Sequence, residues 1–213
     1  MMDSAIFRHK AQFRRKQLEG ILTDCIHVYK EVLSSGVCLN NNENGIRDEL
    51  VNYLEKDDYK LAQTITVKNF HVDHEVQEGP NGRVDIRFLQ VNPYEGQHTY
   101  FIIECKRLDG GNHLCKEYVE HGIKRFETTD KYSTYLGINA MMGFLVKELD
   151  VPTTCVKINS HLTASEQLIC LSSVSVSGCY EFESNHTSNS EAFTLLHLWV
   201  DFTSCVRQTV EDS

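Results

Sequence analysis

The chain has little proline, three residues in 213, which excludes a proline-rich linker or tail. No apolar run approaches the roughly 20 residues that a bilayer-crossing helix needs. Residues Met1 to Lys16 hold no apolar block followed by a small-residue cleavage site, so no secretory signal is read there. The eight cysteines (Cys25, Cys38, Cys105, Cys115, Cys155, Cys170, Cys179 and Cys205) include no CxxC pair. Without a secretory signal they are expected as reduced, mostly buried thiols. His113, Cys115 and His121 are the nearest approach to a zinc cluster and lack paired ligand spacing. No P-loop and no Ser/His/Asp or Cys/His nucleophile set is present. Positive charge is also scarce. Lys and Arg number 21 against 30 Asp and Glu, a net charge of −9. A generic nucleic-acid binder is usually basic, so any such partner must meet a local patch, a metal or a helper subunit. What remains is a soluble, cytoplasmic globular protein without a membrane partner, long enough to bury a core as one domain over residues 1–213.

The apolar spacing predicts one long helix over 4–35, with Leu18, Ile21, Leu22, Cys25, Ile26, Tyr29, Val32 and Leu33 on one stripe. Asn40 to Asn42 break the chain and offer helix caps. A second helix is expected at about 43–56. The period then shortens to two. Strands are expected at Thr64–Val76, Arg83–Val91 and Thr99–Arg107, the third with an apolar centre. A helix at about 113–127, a buried strand at 141–147, a short helix near 153–161 and strands near 167–178 and 192–203 complete the chain. This order builds a mixed sheet flanked by helices, an α/β (α+β) fold. The N-terminal helix occupies 1–39, the core 40–147, and C-terminal strands over 148–213 complete the sheet.

Three residues carry the chemistry. Glu104 and Lys106 stand two apart on one strand and so share a face. If Val91 faces His98 across the turn, facing residue numbers sum to 189, and Asp85 on the preceding strand faces Glu104. Two carboxylates beside an apolar strand centre are costly unless a cation neutralises them. Mg²⁺ suits such a pair, with waters and phosphate oxygens completing its shell. Lys106, one strand step away, would position or help deprotonate an attacking water and offset charge on the phosphate. The competing reading is an ordinary cross-strand ion network. On a helical wheel with Ile46 at 0°, Glu43 falls at about 60°, inside the apolar face, and Glu49 at about −60°, at its edge. Glu43 is therefore the better fourth carboxylate.

These residues resemble the PD-(D/E)XK nuclease superfamily, the restriction-endonuclease-like fold. The resemblance rests on Gly82-Arg83-Val84-Asp85-Ile86 and on Tyr100-Phe101-Ile102-Ile103-Glu104-Cys105-Lys106-Arg107. Tyr118 to Phe126, Lys131-Tyr132-Ser133, Met142 to Val146 and Leu196 to Phe202 add to it, most of all as seen in bacterial defence-type members. Val84 replaces the proline of the motif. The resemblance implies a restriction-endonuclease-like core, with Asp85 and Glu104 as metal ligands, Lys106 as the catalytic lysine and Glu43 as the acidic residue of the first core helix. It implies Mg²⁺ as cofactor, with Mn²⁺ able to substitute, and hydrolysis of DNA to 5′-phosphate and 3′-hydroxyl ends. RNA is the less frequent substrate. It further implies an effector of a prokaryotic antiphage or restriction system, acting as a homodimer or with a partner subunit such as an ATPase or sensor. Lys124, Arg125 and Lys131 are candidate nucleic-acid contacts. Two alternatives stand beside this: a catalytically silent module that binds nucleic acid or a partner protein, and an RNase toxin.

Overall fold

The computed structural model describes residues 4–56, 66–78, 82–90, 100–128, 132, 134–171 and 176–207. Helix α1, Ser4–Ser34, runs as its apolar stripe requires and ends where Gly36 takes φ +69. Its Leu18, Ile21, Cys25, Tyr29 and Val32 are buried. Helix α2, Glu43–Glu55, starts on an Asn42 cap whose side chain accepts the Gly45 N–H at 2.6 Å. That bond satisfies one of the orphan donors of the first turn.

The first strand begins later than the sequence suggests. A 3₁₀ turn, Val67–Asn69, precedes β1, Phe70–Glu78. The turn is fixed by buried Asp24, whose carboxylate accepts the N–H groups of Thr66 (3.0 Å) and Val67 (2.8 Å). Strands β2, Gly82–Gln90, and β3, Tyr100–Leu108, pair antiparallel from Ile86↔Ile103 to Leu89↔Tyr100. Those numbers sum to 189, the expected register. The turns at 79–81 and 91–99 lie outside the described residues.

The expected single helix after β3 is interrupted. It consists of α3, Asn112–Tyr118, a π turn, Val119–Ile123, and α4, Lys124–Glu127. Gly122 lies in the π turn, where a Cβ would come 2.5 Å from Met141 Cε and 3.3 Å from Lys106 Cγ. Only glycine lets the backbone approach the sheet this closely. Strand β4, Ile138–Leu145, starts three residues ahead of its expected position and runs parallel to β3. Helix α5, Val151–Asn159, follows.

The strand expected at 167–178 is a misplacement. Only β5, Ile169–Cys170, forms within that stretch among the described residues, and the long strand is β6, Cys179–Ser188. Gly178, at φ +79, turns the chain into β6. Asn189 and Ser190, at φ 50 and 66, form the two-residue turn into β7, Glu191–Asp201. Both turn residues need positive φ, the geometry whose usual sequence signal is Asn-Gly.

Among the described residues, seven strands form one mixed sheet in the order β1-β2-β3-β4-β7-β6-β5. Helices α1 and α2 cover one face, packing Leu18, Ile46 and Leu50 with Ile86, Phe101 and Ile103. The α3–α4 segment and α5 pack on the other, with Tyr118, Ile123, Phe126, Ile102, Met141 and Trp199. The second layer contains a polar chain. Trp199 Nε1 donates to the Tyr118 hydroxyl (3.1 Å), which meets His197 Nδ1 (2.9 Å). Ser184 Oγ lies 2.7 Å from both His197 Nε2 and His186 Nε2, and His186 Nδ1 lies 3.0 Å from Glu127 Oε1.

Candidate functional site

The site sits where β2 and β3 separate, between the start of α2 and the π turn. Val84 packs into the layer beneath α3, whereas Ile86 and Phe88 pack beneath α1 and α2. Residues two apart should share a face, so β2 changes face at Asp85. Opposite it on β1, Glu75 has φ +53, and the β1–β2 pairing steps from His74↔Ile86 to Val76↔Val84 without it. A left-handed glutamate costs on the order of 1–3 kcal/mol and persists only where its surroundings hold it.

Asp85 is fixed from both sides. Its Oδ2 accepts the Cys105 N–H at 2.8 Å, and its Oδ1 accepts from Arg47 Nη1 at 3.1 Å. Arg47 is fully buried on α2. Its Nη2 also bonds Glu75 and Asp48, each at 2.7 Å. Burial opposes the charge on Arg47, but Asp48, Glu75 and Asp85 outweigh it and hold the guanidinium above its ordinary range.

The Lys106 ammonium lies among the expected carboxylates. It is 2.7 Å from Glu104 Oε1, 3.0 Å from Glu43 Oε1 and 4.0 Å from Asp85 Oδ2, and it donates to the Cys105 carbonyl at 2.7 Å. Burial disfavours the cation here, but Glu104, Glu43 and Asp85 together raise its pKa above the usual lysine value. Lys106 is therefore a permanent cation at neutral pH. Glu43, not Glu49, is the α2 carboxylate that reaches this group. It is the first residue of α2, one position past the Asn42 cap.

Glu104 has no exposed surface. Its Oε1 accepts from Lys106 and from Arg125 Nη1 (2.8 Å), and its Oε2 meets the Tyr132 hydroxyl. Burial pushes its pKa up to about 7, Lys106 and Arg125 pulling down and Asp85 adding to the rise. A proton count agrees. The Tyr132 hydroxyl has one proton and two oxygen neighbours, Glu104 Oε2 and the Arg83 carbonyl at 2.7 Å. Both contacts are hydrogen bonds only when Glu104 carries a proton.

Of the expected nucleic-acid contacts, Arg125 is held inside the site, on Glu104, on the Arg83 carbonyl (2.8 Å) and over the Tyr132 ring. Lys124 pairs with Glu120 at 2.7 Å on the exposed side of α4. Lys131 lies outside the described residues. Arg47 and Glu75 were not singled out by sequence reasoning, and Tyr132 entered only within the Lys131-Tyr132-Ser133 stretch of the resemblance, with no role assigned. The wheel that placed Glu43 puts Arg47 at about 100°, close to buried Leu54, so its burial had a signal. Glu75 had none, because a left-handed strand residue follows no period. A separate cluster, Glu127, Glu166 and His186, brings three potential ligand atoms within 4.8 Å of one another.

Among the described residues no helix is long and apolar enough to cross a membrane. Comparison of the chain with protein-family models, with curated proteins and with solved structures gave no match.

Proposed function

We propose that this protein is a divalent-metal-dependent phosphodiester hydrolase acting on DNA, with the restriction-endonuclease-like core that its motif resembles. One observation carries the reading: Glu43, Asp85 and Glu104, from three separate elements, converge on the Lys106 ammonium within 3.0, 4.0 and 2.7 Å. An ordinary cross-strand pair does not require a third carboxylate from a helix start and a strand that changes face to supply the second.

The residues fit a hard cation. Asp85, Glu104, Glu43 and the Cys105 carbonyl offer only oxygen, the donor type that Mg²⁺ takes, and Mn²⁺ accepts the same set. Asp85 and Glu104 would hold the ion, and it would supply Lewis acidity at the phosphate. Lys106, held protonated, acts as a donor. It orients the attacking water and stabilises negative charge on the phosphate, and it is not the base. Glu43, the most exposed of the three carboxylates with 29 % of its side chain open, faces the solvent from which water enters and is the group to accept the proton. Arg125 and Tyr132 keep Glu104 in place.

The biological setting that goes with this reading is an effector of a prokaryotic defence system, loaded onto DNA by a second copy or a partner subunit. The acidic surface favours such help. The test is cleavage of plasmid DNA and of single-stranded RNA at low salt, with Mg²⁺, with EDTA, and with Lys106→Ala. Loss of DNA cleavage under both treatments supports the proposal, and cutting of RNA alone favours an RNase toxin. A second reading, a silent binding module, draws on the saturation of Asp85 and Glu104 by side-chain cations. Absence of cleavage together with absence of Mg²⁺ binding would select it.

A further inference from the structure

Resting on the metal-site reading above, we infer that the site takes one divalent cation and not two, because the Arg47 guanidinium fills the second cationic position, between Asp85 and Glu75. Arg47 has five N–H donors and five bonds: Nε to Asp48, Nη1 to Asn44 and Asp85, Nη2 to Asp48 and Glu75. It is fully buried, and a guanidinium does not deprotonate in proteins. Displacing it would strand a buried charge. Glu75 adopts φ +53 at the one point where its carboxylate joins Asp85 on a single guanidinium fork. The strain is offset by serving Arg47, which leaves Glu75 paired rather than available to a metal.

Among the described residues the linked set contains five carboxylates, Glu43, Asp48, Glu75, Asp85 and Glu104, and four cations, Arg47, Arg83, Lys106 and Arg125. With Glu104 deprotonated, as a metal ligand must be, it carries one net negative charge. One divalent ion together with one phosphodiester anion brings it to neutrality. A second ion would leave two uncompensated positive charges in a largely buried site, an arrangement that low local dielectric penalises heavily.

The test counts Mn²⁺ per intact chain by electron paramagnetic resonance of the free ion, in wild type and in Asp85→Asn. The site count is the difference between them, so an ion at Glu127–Glu166–His186 cancels. Glu104→Gln serves as the subtraction variant if Asp85→Asn does not fold. The expected difference is one, and Glu75→Gln is expected to keep it at one. A difference of two, falling to one in Glu75→Gln, would overturn the assignment of Arg47 and make Glu75 a ligand. A difference of zero would overturn the metal site itself, and this inference with it.

Discussion

The buried Glu104 predicts that the metal-free protein loses stability as pH rises. Its carboxyl moves from a usual 4.5 to about 7 on folding, chiefly by desolvation. Between those values the folded chain holds a proton that the unfolded chain has released. Unfolding stability therefore falls with rising pH across that window, by about 1.4 kcal/mol per unit. The whole loss is about 3 kcal/mol, complete above pH 7. This is opposite in sign to the usual paired carboxylate, whose contribution disappears on acidification. Other groups titrate in the same range, so the readout is a difference. Glu104→Gln keeps the shape and cannot ionise. Urea unfolding of both proteins in EDTA at pH 5, 6, 7 and 8 should show the variant gaining on wild type by about 2 kcal/mol between pH 5 and pH 7, with only a few tenths more, roughly, by pH 8. A difference that does not change with pH would refute the reasoning. It would mean that Lys106 and Arg125 fully compensate the buried charge.

Three further outcomes follow from particular contacts. Lys106→Met should abolish cleavage and also lower metal-free stability by roughly 3 kcal/mol at pH 8, because it removes a partner from a buried anion; nicking assays and thermal unfolding check the two parts. Gly143→Ala should destabilise by roughly 1–3 kcal/mol in urea, since the new Cβ would lie 2.6 Å from Trp199 Cδ1 and 2.9 Å from Leu108 Cδ1 in the middle of the sheet. Tyr118→Phe should cost roughly 1–3 kcal/mol in the same assay, because it leaves Trp199 Nε1 without its acceptor and His197 Nδ1 without its partner.

The helices and the central strands were legible because their periods are strong. Leu18 to Val32 paint one stripe, and Tyr100 to Ile103 read as a strand buried on both faces. The β2–β3 register followed from a constant sum, which a simple hairpin obeys. Glu43 was placed by its angle on α2. What escaped is local backbone geometry. The β6–β7 turn uses Asn189 and Ser190 in place of the familiar Asn-Gly, so the strand before it was placed too early. The π turn shifts Glu120 to Ile123 out of helical phase, and its one trace in the sequence is Gly122, a residue with many other uses. The wheel hinted at the burial of Arg47, but its partners Glu75 and Asp85 come from two strands and leave no trace in the period of α2.

The polar chain behind the site has a direction. An indole N–H can only donate, so the Tyr118 oxygen must accept from Trp199 and spend its own proton on His197 Nδ1. His197, pushed down to about 3 by burial, is then the Nε2–H tautomer and donates to Ser184. Ser184 in turn donates to His186 Nε2, which leaves the His186 proton on Nδ1, facing Glu127. One tryptophan thus sets the tautomers of two histidines at a distance. The sequence of protons ends on α4, two residues after Arg125, whose guanidinium grips Glu104 on the far side of the same helical turn. The four-residue helix is tied at one end to the core's proton order and at the other to the carboxylate that would hold the metal.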